Sequence, residues 1–266
     1  MDDKGGRVTR ILLVVEAAGD AQHVGDLVDR VLRERVEWLA DQDLDHHREW
    51  VRNPASPYVR EDTPPFLTWT GLKNLRAIHG GFATGPGGGM ALAARKAIGQ
   101  GRTHPDLKAD VVVLVHDADR DGAAHRVAFA AARQEYVATG RFDVVMGIPD
   151  MEREAWILKG FVPQDDGEAA LLDTEKRRLS FDPTREPERL RDAKDHEERS
   201  PKRVVNALTC GDDRRARSCW TDALLGRLWA RRSDGEDPTG LAEFLDELEA
   251  RLVPFYQPRA HPDSPS

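Results

Sequence analysis

Apolar and polar positions follow two rhythms along this chain. Residues 8–16, VTRILLVVE, are a short β-branched apolar run that ends in a charge, the pattern of a buried strand. Val24, Leu27, Val28, Val31, Leu32, Val36 and Leu39 then recur at helical intervals and predict a helix over 20–39, with Asp20 as its N-cap. Residues 40–65 carry Pro54, Pro57, Pro64 and Pro65 and predict an irregular insertion. FLTWTG at 66–71 is expected to form a short strand, and the glycines of 80–89 a loop leading into a helix over 90–99. VVVLVH at 111–116 is nearly all valine, as a parallel strand covered on both faces should be. A helix over about 122–138, a strand at 142–149 (FDVVMGIP) and a helix from MEREAWILKGF complete the alternation.

Strand–helix alternation of this kind predicts an α/β fold, a Rossmann-like parallel sheet with right-handed crossovers. Beyond about residue 165 the strand signals stop. Residues 174–201 are charged and proline-punctuated, and 202–253 predict two or three short helices. The expected organisation is an α/β domain over 1–165 with the insertion at about 40–65, a helical charged extension over 166–256, and a disordered tail over 257–266.

The composition narrows the functional classes. No apolar run approaches the roughly 18 residues that span a bilayer, and MDDKGGRVTR leads straight into a strand with no signal peptide, so a cytoplasmic protein without membrane contact is expected. Cys210 and Cys219 are too few and wrongly spaced for a disulfide framework or a zinc knuckle. The formal charge is −8, from 39 Lys and Arg against 47 Asp and Glu. That balance disfavours strong binding of free duplex DNA by the chain alone. The arginines gathered after residue 176 are interspersed with acids and predict a mixed-charge solvated surface. Trp156, Trp220 and Trp229 fall at amphipathic positions and are expected in the core.

Function in open parallel sheets collects at the carboxyl ends of the strands, and three strand ends here are acidic. The first delivers Glu16. The second delivers Asp117, Asp119 and Asp121 in HDADRDG, and the third Asp150, Glu152 and Glu154 in IPDMEREAW. Like charges converging in a cleft repel one another, and a hard divalent cation with oxygen ligands relieves that repulsion. Glu16, Asp117 and Asp119 are therefore the expected metal site, with helix capping by each acid separately as the structural alternative. HDADRDG is not a calcium loop of the EF-hand kind, because Ala128 stands where the twelfth-position Glu belongs and a strand precedes it. Met90 stands where a phosphate loop shows its Lys, and neither HExxH nor GxSxG occurs.

A strand ending in Glu followed by a later strand ending in DxD resembles the TOPRIM domain of topoisomerases, primases and overcoming-lysogenization-defect nucleases. MEREAWIL, FDPTREPERL and SPKRVVNAL resemble further elements of uncharacterised bacterial TOPRIM-like proteins discussed with phage-defence genes. The resemblance spans residues 8–160 and, with these elements, extends to about 210. It implies a nuclease that cleaves phosphodiester bonds in DNA or RNA with Mg²⁺ or Mn²⁺, acting in antiviral defence. Glu16 is then the general acid/base or a metal ligand, Asp117 and Asp119 hold the ion, and Asp121 is a third acid. Glu154 is a further ligand or a structural partner, ahead of Glu152. His116, Lys202 and Arg203 are candidate substrate contacts. A partner protein such as an ATPase is expected to supply affinity for nucleic acid. The alternative keeps the fold as a non-catalytic regulatory or sensor subunit. An aspartyl phosphotransferase needs Asp where the first strand ends, and Glu16 stands there.

Overall fold

The computed structural model describes residues 8–52, 63–72, 88–118, 122–136, 142–192, 194–221, 225–226 and 237–257. It is an α/β protein built on a parallel sheet of five strands among the described residues: β1 (Thr9–Val15), β2 (Arg48–Trp50), β3 (Phe66–Thr68), β4 (Val111–Val115) and β5 (Asp143–Gly147). The order is β2-β1-β4-β5, every pairing parallel. β2 pairs with Thr9–Ile11 and β3 with Leu13–Val15, while β4 pairs with Ile11–Val14. The two short strands therefore follow one another along the edge of β1 that faces away from β4.

Side chains alternate across the sheet, so β1 feeds two cores. Ile11, Leu13 and Val15 join Val113 and Val145 under α1 (Ala18–Arg35), whereas Leu12 and Val14 join Val112, Leu114 and Val144 under α3 (Gly88–Thr103) and α4 (Gly122–Gln134). Both faces of β4 are covered, and all five of its residues are buried. On α1, Val24, Leu27, Val28, Val31 and Leu32 form the buried stripe, each contributing roughly 1.5–3 kcal/mol on leaving water.

The regular elements described after residue 165 are all helices, among them α6 (Asp166–Leu179), α7 (Pro201–Thr209), α8 (Asp213–Arg217) and α9 (Leu241–Arg251). Phe244, Leu245 and Leu248 of α9 lie in the same cluster as Ile11, Val113 and Val145, so the expected extension shares the core of the sheet. The outer margin of β5 is occupied by side chains. Asp143 accepts from the Val144 N–H at 2.7 Å, Arg133 donates to the Val144 carbonyl at 3.4 Å, and Glu247 accepts from the Met146 N–H at 3.3 Å.

Several local expectations change. α1 starts at Ala18, so Asp20 is its third residue and not its cap. Its carboxylate reaches back to the Ala17 N–H at 2.9 Å. The helix stops at Arg35 because Val36 adopts extended backbone, and Glu37–Leu39 forms a separate 3-10 turn. The irregular stretch from 40 contains β2, whose strand character comes from pairing with β1. FLTWTG divides into β3 and a short helix, α2 (Trp69–Leu72). Residues 80–87 of the glycine-rich loop and the tail from 258 lie outside the described residues. Trp156 and Trp220 are buried as expected; Trp229 lies outside the described residues. Both cysteines are free thiols. No helix among the described residues is long and apolar enough to cross a membrane.

Candidate acidic site at the ends of β1 and β4

From β1 the chain moves to one side of the sheet, to β2 and β3, and then crosses to β4 on the other side. The direction of winding reverses between β1 and β4, and crevices in open α/β sheets form at the carboxyl ends where it does. The register pairs Val14 with Leu114, so Glu16 and Asp117 leave the sheet side by side. The Glu16 carboxylate accepts the Asp117 N–H at 3.2 Å and lies 3.4 Å from Nδ1 of His116. His116 is held by edge contacts with the rings of Trp69 and His125, and Trp69 donates its Nε1 proton to the Val115 carbonyl at 2.7 Å.

The third strand end enters through Arg153, the residue before α5 (Glu154–Gly160). Its backbone N–H donates to Asp117 at 3.2 Å. Its Nε donates to Asp20 at 2.7 Å and its Nη2 to Glu154 at 2.9 Å. The side chain is buried, and Nη1 has no partner. Burial opposes the charge of this guanidinium, but Glu154, Asp20 and Asp117 outweigh it and hold Arg153 above its ordinary range. Three carboxylates thus surround one buried cation.

Asp117 bears the imbalance. Burial first, then the charges of Glu16, Asp20 and Glu154, push its carboxyl up to about 9, with Arg153 opposing. These causes favour the neutral carboxyl of Asp117. A divalent cation bound there would reverse that preference, because the ion would be the largest local charge. Glu16 is exposed and reaches solvent.

The remaining sequence candidates divide. Asp119 and Asp121 lie outside the described residues. Glu154 is brought to the site as the ion-pair partner of Arg153. Asp150 is turned to Arg191 at 2.9 Å. Lys202 bonds Asp195 at 2.8 Å, and that bond, helped by Glu154 and Glu152 against its burial, raises its pKa, so it stands within electrostatic range of the acids. Arg203 is not brought to the site: it forks onto Glu175 at 3.1 and 2.7 Å and donates Nε to the Glu198 carbonyl, which ties α7 to α6.

Sequence reasoning missed Arg153 and the role of Asp20. The signal available was an arginine between two glutamates, Glu152 and Glu154, directly after a strand end. Among the described residues, no group of three His, Cys, Asp or Glu side chains is arranged to hold a metal ion. Comparison with known proteins returns no match, whether to protein-family models, curated proteins or solved structures.

Proposed function

We propose that the chain is a TOPRIM-like, Mg²⁺-dependent nuclease that cleaves phosphodiester bonds in DNA or RNA. The observation that carries this is the meeting of Glu16 and Asp117, hydrogen-bonded to one another, where the winding of the parallel sheet reverses. The donor chemistry fits a hard ion: the groups are carboxylate oxygens, and burial first, then the charges of the neighbouring acids, lift Asp117. Glu16 and Asp117 would hold the ion, together with Asp119 as the sequence leads one to expect. Bound there, Mg²⁺ or Mn²⁺ supplies Lewis-acid polarisation of a phosphate. Glu16, exposed at the mouth, moves a proton to or from the attacking water. His116, whose Nδ1 is hydrogen-bonded to the Asp117 carbonyl at 2.7 Å, stands 3.4 Å from the Glu16 carboxylate. Arg153 holds Asp20 and Glu154 in place and fixes Asp117 through its backbone N–H. Lys202 extends a positive charge toward a substrate phosphate. A partner protein such as an ATPase, in a phage-defence setting, supplies the affinity for duplex DNA that a chain of charge −8 lacks.

The test is cleavage of plasmid DNA, single-stranded DNA and RNA with Mg²⁺ or Mn²⁺, comparing wild type with Asp117→Ala/Asp119→Ala. Metal-dependent cutting that the double variant loses is the expected result. A folded wild type that cuts none of the substrates with either metal would overturn it. One observation favours a second reading, a non-catalytic regulatory subunit: Arg153 already balances Asp20 and Glu154 within the fold. In that case the double substitution alters stability or partner binding, and no cleavage exists to be lost.

A further inference from the structure

A second feature stands apart from the acidic site. A groove of about 610 Å³ opens between α1 and α8, and four arginines line it: Arg30 and Arg33 from α1, Arg214 and Arg217 from α8. Two aspartates, Asp26 and Asp29, also line it, and each already has an arginine of its own. Arg217 forks onto Asp26 at 2.6 and 3.0 Å, and Arg48 forks onto Asp29 at 2.7 and 2.6 Å. The acids of the groove are thereby neutralised, while two of its cations are not. Arg33 donates to the carbonyls of Ala40 and Gln42 at 3.2 and 3.1 Å, which fix its position without cancelling its charge. The Arg214 guanidinium makes no hydrogen bond or ion pair among the described residues.

Most cations in this part of the chain behave otherwise. Arg178 and Arg203 meet Glu175, Arg215 meets Glu168, and Arg189 meets Glu186. A chain of net charge −8 that leaves uncancelled arginines facing one concavity has built a local positive field. Planar guanidinium forks match phosphate oxygens with two parallel bonds, and a cavity of a few hundred Å³ suits a ligand of that size.

We propose that this groove is an anion site that binds clustered phosphate groups through Arg33 and Arg214, with Arg217 pre-positioned by Asp26. The groove's first residue, Asp26, stands six residues beyond Asp20 on α1, about 9 Å further along the helix axis at 1.5 Å per residue. The phosphates can therefore come from a nucleic-acid strand passing the acidic site or from a free nucleotide. The proposal holds whether or not the acidic site cleaves.

The experiment uses the full chain in EDTA, which removes any metal-mediated binding. Two probes are titrated: a fluorescently labelled single-stranded oligonucleotide, followed by anisotropy, and inorganic pyrophosphate, followed by calorimetry. Wild type is compared with Arg214→Gln and with Arg33→Gln/Arg214→Gln. The single variant removes a side chain with no bond to lose among the described residues, so it keeps the test informative even if the double variant fails to fold. Binding by wild type that weakens about tenfold in the variants is expected, with the salt slope for the oligonucleotide falling by about 0.7 per arginine removed. Weakened binding of the oligonucleotide alone assigns the site to a strand, and of pyrophosphate alone to a free nucleotide. No binding of either probe by wild type, or variants that bind as wild type does, would refute the anion site.

Discussion

Arg153 is the residue on which the acidic site depends. It is buried, and three carboxylates take its backbone or side-chain protons. Removing one member of such a cluster leaves the others charged in a poorly solvated place. Arg153→Gln is expected to lower stability by about 3 kcal/mol, read from the urea midpoint, and Asp20→Asn in the same chain should restore part of the loss. An unchanged midpoint would mean that the acids find water instead. His23 sits on α1 within the field of Arg153 and Arg217. Burial first, then Arg153, lower its pKa to about 3, although its bond to the Gly19 carbonyl opposes them. The folded state therefore keeps His23 neutral where the unfolded chain, near 6.5, takes up a proton. Stability from this group is present above pH 6.5 and is lost as pH falls toward 3. Its slope across that window is about 1.4 kcal/mol per pH unit. His23→Gln should flatten the dependence of the unfolding free energy on pH by that amount between about pH 4 and 6. A slope equal to that of wild type would show that His23 protonates freely in the fold.

At the scale of elements, legibility followed burial. β1, β4 and β5 were readable because a parallel strand covered on both faces must be an apolar run, and VVVLV is buried at every position. β2 was hidden because Arg48, Glu49 and Trp50 are partly exposed, and only pairing with Thr9–Ile11 makes them a strand. Glu16 and Asp117 were legible as strand-end acids. The sequence marks Asp20 only as a cap and leaves Arg153 unmarked, because their meeting depends on a contact across 133 residues that no local period encodes. One junction that no periodicity announces is Gly240, which starts α9 at φ +78°. A Cβ there would run into the Ile148 carbonyl at the end of β5. Gly240→Ala combines left-handed backbone with a backbone clash, and a loss of more than about 1 kcal/mol is expected, measured as a fall in thermal midpoint. A midpoint equal to wild type would show that α9 can shift without cost.

The whole molecule separates its charges. Carboxylates meet where the sheet reverses its winding, and uncancelled arginines face a groove further along α1. Helices from the last third close over the same core as the strands, so their cations are carried by the body that carries the acids. The occupied outer margin of β5 has a separate consequence for how this protein meets others. A free strand edge is a template for another chain, whether a docking peptide or a growing aggregate. Here Asp143, Arg133 and Glu247 already take the outward N–H groups of Val144 and Met146 and the Val144 carbonyl, which an incoming strand would need. The opposite margin is divided between two strands of three residues each, β2 and β3. Neither flank offers a long ladder. Among the described residues, strand addition therefore has little to pair with at either margin, which favours recognition through helix faces, loops and charge and disfavours extension of one molecule's sheet by the next.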